Sequence, residues 1–162
     1  MAYEELKSSG ITSDTPKNIV FGAGTIHKGL TFASGKWNFE ESLIGATQGG
    51  SKFTITPEIT DIEADGALVK VKGLTVKTGE TATMEVNFLE ITPDILKMAV
   101  IGQSGTPENM TGYSEIKSKA RIATGDYVEK LGYIGKTLDG TPIIVIFDSA
   151  LCTSGLEIEG KN

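Results

Sequence analysis

The residues of this chain able to do chemistry are few and far apart. His27 is the only histidine and Cys152 the only cysteine. A nucleophilic dyad or triad on either would need partners from distant sequence. His27 therefore reads as an exposed or hydrogen-bonded residue, and Cys152 as a small buried apolar one. Gly22-Ala23-Gly24, with Gly29 beyond, imitates part of a dinucleotide fingerprint. That fingerprint needs a helix start to hold a pyrophosphate. Here Thr25-Ile26-His27-Lys28 leads to more strand-like sequence, so the glycines read as a strand-end turn. Asp61 to Gly66 resembles the opening of a calcium loop, but the twelfth position, where a bidentate glutamate belongs, is Lys72. An acidic hairpin loop is the better reading. Asn109-Met110-Thr111 fits a glycosylation acceptor, without a secretory signal to give it meaning. No catalytic residue, cofactor or metal is assigned, and the chain is expected not to be an enzyme.

Composition points the same way. With 162 residues, 39% hydrophobic and 22% charged, the chain is globular and long enough for a core without staples. Glycine is high at 20 residues, against a usual share of about 7%. Glycine scattered between short apolar runs implies many turns, hence many strands. A net charge of -6 suits a surface that does not grip phosphate. A lone cysteine suits a reducing compartment. No segment approaches the roughly 20 apolar residues of a membrane span. Met1 to Lys7 lacks the features of a signal peptide, so assembly in the cytoplasm is expected.

The elements follow from periodicity. Residues 1–17 read as an arm and 18–162 as one domain. Asn18 to Ala23 and Leu30 to Phe39 read as strands, and Glu40 to Gly50 as loop. Phe53, Ile55 and Ile59 alternate with Thr54, Thr56, Glu58 and Thr60, the pattern of a half-buried strand. Pro57 demotes its middle to an edge or bend. Asp65-Gly66 is a turn signal. Leu68 to Val76 reads as a strand, Lys77 to Glu80 as a turn, and Thr81 to Ile91 as a further strand, with Thr83, Glu85 and Asn87 on its polar side. Thr92 can cap a helix over 93–101, with Pro93 at its first position, Asp94 on its dipole and Gly102 closing it. Gln103 to Gly112 reads as loop. Glu115 to Ala123 reads as a strand with Glu115, Lys117, Lys119 and Arg121 outward. Tyr127 to Gly135 reads as another strand or extended segment, and Pro142 to Phe147 as a strand covered on both faces. The alternation of Gly155 to Glu159 ends the chain. The fold class expected is mainly β, a sandwich or partial barrel with one short flanking helix.

Long strands with few edge-protecting devices invite pairing with another chain. A ring of identical subunits closed into a barrel removes those edges. The polar rows Thr54, Thr56, Glu58, Thr60 and Thr83, Glu85, Asn87 could line a wide, wet channel whose carboxylates repel DNA. Lys117, Lys119 and Arg121 read as a solvated strand face or a contact to a neighbouring subunit's carboxylates.

Three segments, taken in order, resemble the tail tube proteins of long-tailed bacteriophages. They are Ile44-Gly45-Ala46-Thr47-Gln48-Gly49-Gly50 before an alternating strand; Ile62 to Ala67 followed by Val71-Lys72-Gly73; and Gly79-Glu80 before Ala82 to Phe88 and the capped helix. The resemblance covers roughly residues 18–159. It implies hexameric rings stacked into a tube, with inner strands merging into one large barrel around DNA. It also implies that a loop carrying Asp61, Glu63, Asp65 and Gly66 reaches the next ring, and that both chain ends bridge subunits. The implied partners are other copies of the chain, a tape-measure protein, tail terminator and distal tail proteins, and DNA in transit; the implied location is the virion tail. Proteins of that kind often continue past a segment like Leu156 to Glu159 into one more strand. The alternatives are the tube of a contractile tail or phage-like bacteriocin, and a monomeric adhesion or carbohydrate-binding sandwich.

Overall fold

The computed structural model describes residues 9–66, 69–108 and 110–157. Most of the arm, the Leu68 strand start, Asn109 of the acceptor triplet and the Ile158-Glu159 end lie outside them. The elements in order are α1 (Thr15–Asn18), β1 (Val20–His27), β2 (Phe32–Ala33), β3 (Lys36–Trp37), α2 (Phe39–Ser42), β4 (Leu43–Gly45), β5 (Thr47–Asp61) and β6 (Thr75–Phe88). There follow α3 (Pro93–Ala99), β7 (Gly102–Gly105), β8 (Glu115–Ser118), a 3-10 turn (Thr124–Asp126), β9 (Val128–Thr137) and β10 (Pro142–Ala150). Strands make up 48% and helices 12%, in several antiparallel sheets without a closed barrel, a β-sandwich-like class as the composition implied. The chain divides into two compact units, one of residues 1–48 and 88–162 and one of Gly49–Asn87.

The first unit is built on a four-stranded sheet of order β10-β9-β1-β4. Its longest ladder is the β9–β10 hairpin, running from Pro142↔Lys136 to Ala150↔Val128. The hairpin turns at Asp139-Gly140, where Gly140 takes φ 90°, a conformation natural only to glycine. Asp139 accepts the Thr141 amide at 3.2 Å and the Thr137 hydroxyl. These bonds hold its carboxyl below the usual range. The core gathers Ile26, Leu30, Val128, Tyr133 and Ile95. Glycine lets these side chains sit close to backbone. A Cβ on Gly132 would stand 2.5 Å from a Leu30 methyl, and one on Gly24 would stand 2.1 Å from the Tyr133 ring. The Gly22-Ala23-Gly24 glycines thus lie inside β1, not at a strand-end turn.

The capped helix forms where the local signals place it. Thr92 Oγ1 accepts the Ile95 amide at 3.3 Å and Pro93 opens the helix. Replacing Thr92 with Ala should cost about 1 kcal/mol, read as a lower urea midpoint at unchanged m-value. Gly102 does not close the helix. Ile101 takes the left-handed position at φ 49°, and Gly102 begins β7. Space explains the shift: a Cβ on Gly102 would meet Ile116 at 2.8 Å and Val100 at 2.9 Å. The expected polar loop after it therefore begins as a strand, paired with β8 from Gly102↔Ser118 to Gly105↔Glu115.

Other departures have similar causes. Leu30 to Phe39 is a tight two-stranded hairpin, not one strand, because Ser34 and Gly35 both take positive φ. Asn38 fastens its base, donating to Gly29 O at 3.0 Å and accepting the Thr31 amide at 2.8 Å. Glu40 to Gly50 is not loop: it holds the end of α2, then β4 and the start of β5. β8 stops at Ser118, short of Ala123. β10 is an edge strand with half-buried side chains from Ile143 to Phe147, not a strand covered on both faces.

Candidate functional site

The second unit is a hairpin of β5, 15 residues, and β6, 14 residues, forming a sheet of their own. The expected strand over 68–76 and turn over 77–80 are not the pattern found. Residues 69–74 are irregular, and β6 runs unbroken from Thr75 to Phe88. Lys52 reaches Glu85 at 3.8 Å, and a Cβ on Gly79 would lie 3.7 Å from the Glu58 Cβ. The Thr78 hydroxyl donates to Glu58 O at 3.3 Å. Thr78 and Gly79 thus both address Glu58, two residues opposite one as in a β-bulge. Thr78-Gly79 lies within a continuing strand, not at its end.

That register decides which side chains share a face. By alternation, Lys52, Thr54, Thr56, Glu58 and Thr60 lie on the side of Gly79, Thr81, Thr83 and Glu85. Asn87 follows the parity of Thr83 and Glu85 along β6. The polar rows singled out on the two strands therefore stand on one surface. The opposite surface carries Phe53, Ile55 and Ile59, exposed by 40%, 53% and 66%, with half-buried Met84 and Val86 across from them. Among the described residues, neither strand pairs with a third.

The loop between the strands is tied at its base. Asp61 accepts the Thr75 hydroxyl at 2.6 Å and pairs with Lys70. Those contacts hold its carboxyl below the usual range and raise the Lys70 ammonium. Asp61 is thus committed within its own chain, while Glu63, Asp65 and Gly66 are exposed around the turn, with Gly66 at φ 84°. Two cations of the expected basic strip also have partners within the chain. Lys117 pairs with Glu115 at 3.1 Å. Lys119 pairs with Asp126, whose carboxyl also takes the Ala123 amide at 2.7 Å and is held below its usual range, chiefly by Lys119. Arg121, past the end of β8, makes no hydrogen bond or ion pair among the described residues.

His27 is buried, not exposed, with Nδ1 2.8 Å from Ser42 Oγ and Nε2 2.8 Å from Thr25 Oγ1. Ser42 spends its hydroxyl hydrogen on Asn38 O at 2.7 Å, so it accepts from the imidazole. A nucleophilic serine needs the reverse, its proton directed at the ring. Sequence spacing could not find this group, because Ser42 approaches His27 only through the fold of α2 onto β1. Cys152 is half-buried, 3.8 Å from Ser154 Oγ. Among the described residues no cluster of His, Cys, Asp and Glu could hold a metal, and no helix is long and apolar enough to cross a membrane. No protein family, curated protein or solved structure matches this chain.

Proposed function

We propose that this protein is a structural subunit of a phage tail tube, assembling into stacked, hexameric rings that surround the tape-measure protein and then conduct DNA. The observation that carries this reading is the β5–β6 hairpin. An isolated two-stranded hairpin is marginal in water, and this one has two edges left open among the described residues, a polar face and an exposed apolar face. Edge-to-edge pairing with identical neighbours would satisfy the backbone groups. It would also turn the polar face toward a common lumen.

That face carries Lys52, Glu58 and Glu85, so carboxylates outnumber cations on it. Reversing both carboxylates, Glu58→Lys with Glu85→Lys, leaves cations alone. Tubes should still form, and they should retain DNA where wild-type tubes do not, with retention falling as salt rises. Variant tubes that ignore DNA would remove the lumen assignment.

A second reading, a monomeric ligand-binding sandwich, draws on one observation. Phe32, 58% exposed, packs on Trp37 at 5.2 Å, and Trp37 stacks on Phe39 at 6.2 Å. That reading predicts a monomer at every concentration and loss of ligand with Trp37→Ala.

A further inference from the structure

We propose that His27 is the trigger of an acid-sensitive clasp, which holds the α2 turn and the start of β4 against β1 while the imidazole is neutral and releases them when it gains a proton. The geometry fixes the proton inventory. Because the Ser42 hydroxyl donates to Asn38 O, the imidazole hydrogen must sit on Nδ1, facing Ser42 at 2.8 Å. Nε2 is then the acceptor for the Thr25 hydroxyl at 2.8 Å. Both ring nitrogens are used, and the residue is 3% exposed. Protonation adds a hydrogen to Nε2, and the Thr25 hydroxyl must turn its own hydrogen away and accept instead.

A buried imidazolium needs a counter-charge, and none is supplied. The α2 turn carries Glu40 and Glu41, and β9 carries Glu129, Lys130 and Lys136. Lys28 follows His27, and Glu90 lies beside Gly45 of β4. All are exposed, Lys130 is paired with Asp148, and none bonds the ring. Burial accordingly lowers the His27 pKa, with a Phe39 backbone contact opposing it. The sign follows from linkage. The unfolded or opened segment binds the proton more readily, so closure is complete above the ordinary histidine value. It weakens as pH falls from there through the lowered one.

What the clasp holds is specific. Ser42 O accepts the Lys28 amide at 2.7 Å, Ser42 N donates to Asn38 O at 3.1 Å, and β4 meets β1 only at Ile26↔Gly45 and His27↔Leu43. Phe39, the first residue of α2, stacks on Trp37 and lies 6.0 Å from His27. The only tryptophan is therefore a reporter on the segment the only histidine controls.

The test uses the intact protein. The His27 Hε1 NMR resonance and Trp37 emission are followed together from pH 8 downward, beside far-ultraviolet circular dichroism. The expected result is a His27 midpoint below about 6.5. Trp37 emission should change at the same midpoint with strand content retained. The protection factor of the Lys28 amide should fall by up to about tenfold per pH unit between the ordinary histidine value and the lowered one. In His27→Gln the emission change should vanish. If that variant does not fold, the coincidence of midpoints in the wild-type chain decides alone. An ordinary His27 midpoint, or Trp37 emission that does not follow it, overturns the proposal.

Discussion

Gly24→Ala is expected to destabilise the protein by about 3 kcal/mol, a loss of roughly 6–12 °C in melting temperature for a chain of this size. The added Cβ would lie 2.1 Å from Tyr133 Cε2 and 2.7 Å from the Ile134 carbonyl oxygen. Tyr133 is buried and flanked on its other side by Gly135, where a Cβ would meet its hydroxyl at 2.6 Å. The ring therefore has little room to withdraw. The Ile134 oxygen is backbone, in register with Thr25 and Ile144, and cannot rotate away. Gly125→Ala is the control, since nothing lies within 4 Å of its Cβ position and its φ is ordinary. Thermal melts of the two variants should differ by nearly the whole effect. Equal melting temperatures would mean that Tyr133 does not pack across Gly24.

The second large effect concerns association. Ile55→Lys with Ile59→Lys should leave the melting of the first unit unchanged and abolish higher-order assembly. Both side chains stand on the apolar surface of the hairpin, exposed by 53% and 66%. Covering each stabilises a contact by about 2 kcal/mol, roughly 30-fold in association per contact. Lysine removes that gain and puts an unpaired charge where the contact forms. Because each subunit repeats the loss, assembly should fail altogether. Sedimentation velocity distinguishes the outcomes: a single slow species for the variant supports the assignment, and wild-type assemblies from it exclude this surface from the contact.

Much of this architecture was legible where the signals are local. Thr92-Pro93-Asp94 places a helix start to the residue, because cap, φ restriction and dipole act within one turn. Alternation from Phe53 to Thr60 and from Thr81 to Phe88 gives each strand's two faces. Alternation could not reveal that Thr54 and Thr83 share a surface, since that depends on the two-for-one opposition of Thr78 and Gly79 to Glu58. Locally, Lys77-Thr78-Gly79-Glu80 is indistinguishable from a turn. Gly102 misled in the same way: glycine after a helix signals closure, yet here it makes room for Ile116. The His27 group was only half legible: Thr25 is its i−2 neighbour on the same strand, but Ser42 becomes its partner only through tertiary folding. The pairing of Lys119 depends likewise on Asp126, which reaches it from the 3-10 turn.

The tube assignment rests on what the hairpin does in solution. Negative-stain electron microscopy of the purified protein across a concentration series tests it most directly. Rings, or hollow tubes lengthening with concentration, are predicted, with a rotational symmetry that can be counted from end views. Small uniform particles at every concentration, matched by a monomer mass in light scattering, would contradict the account.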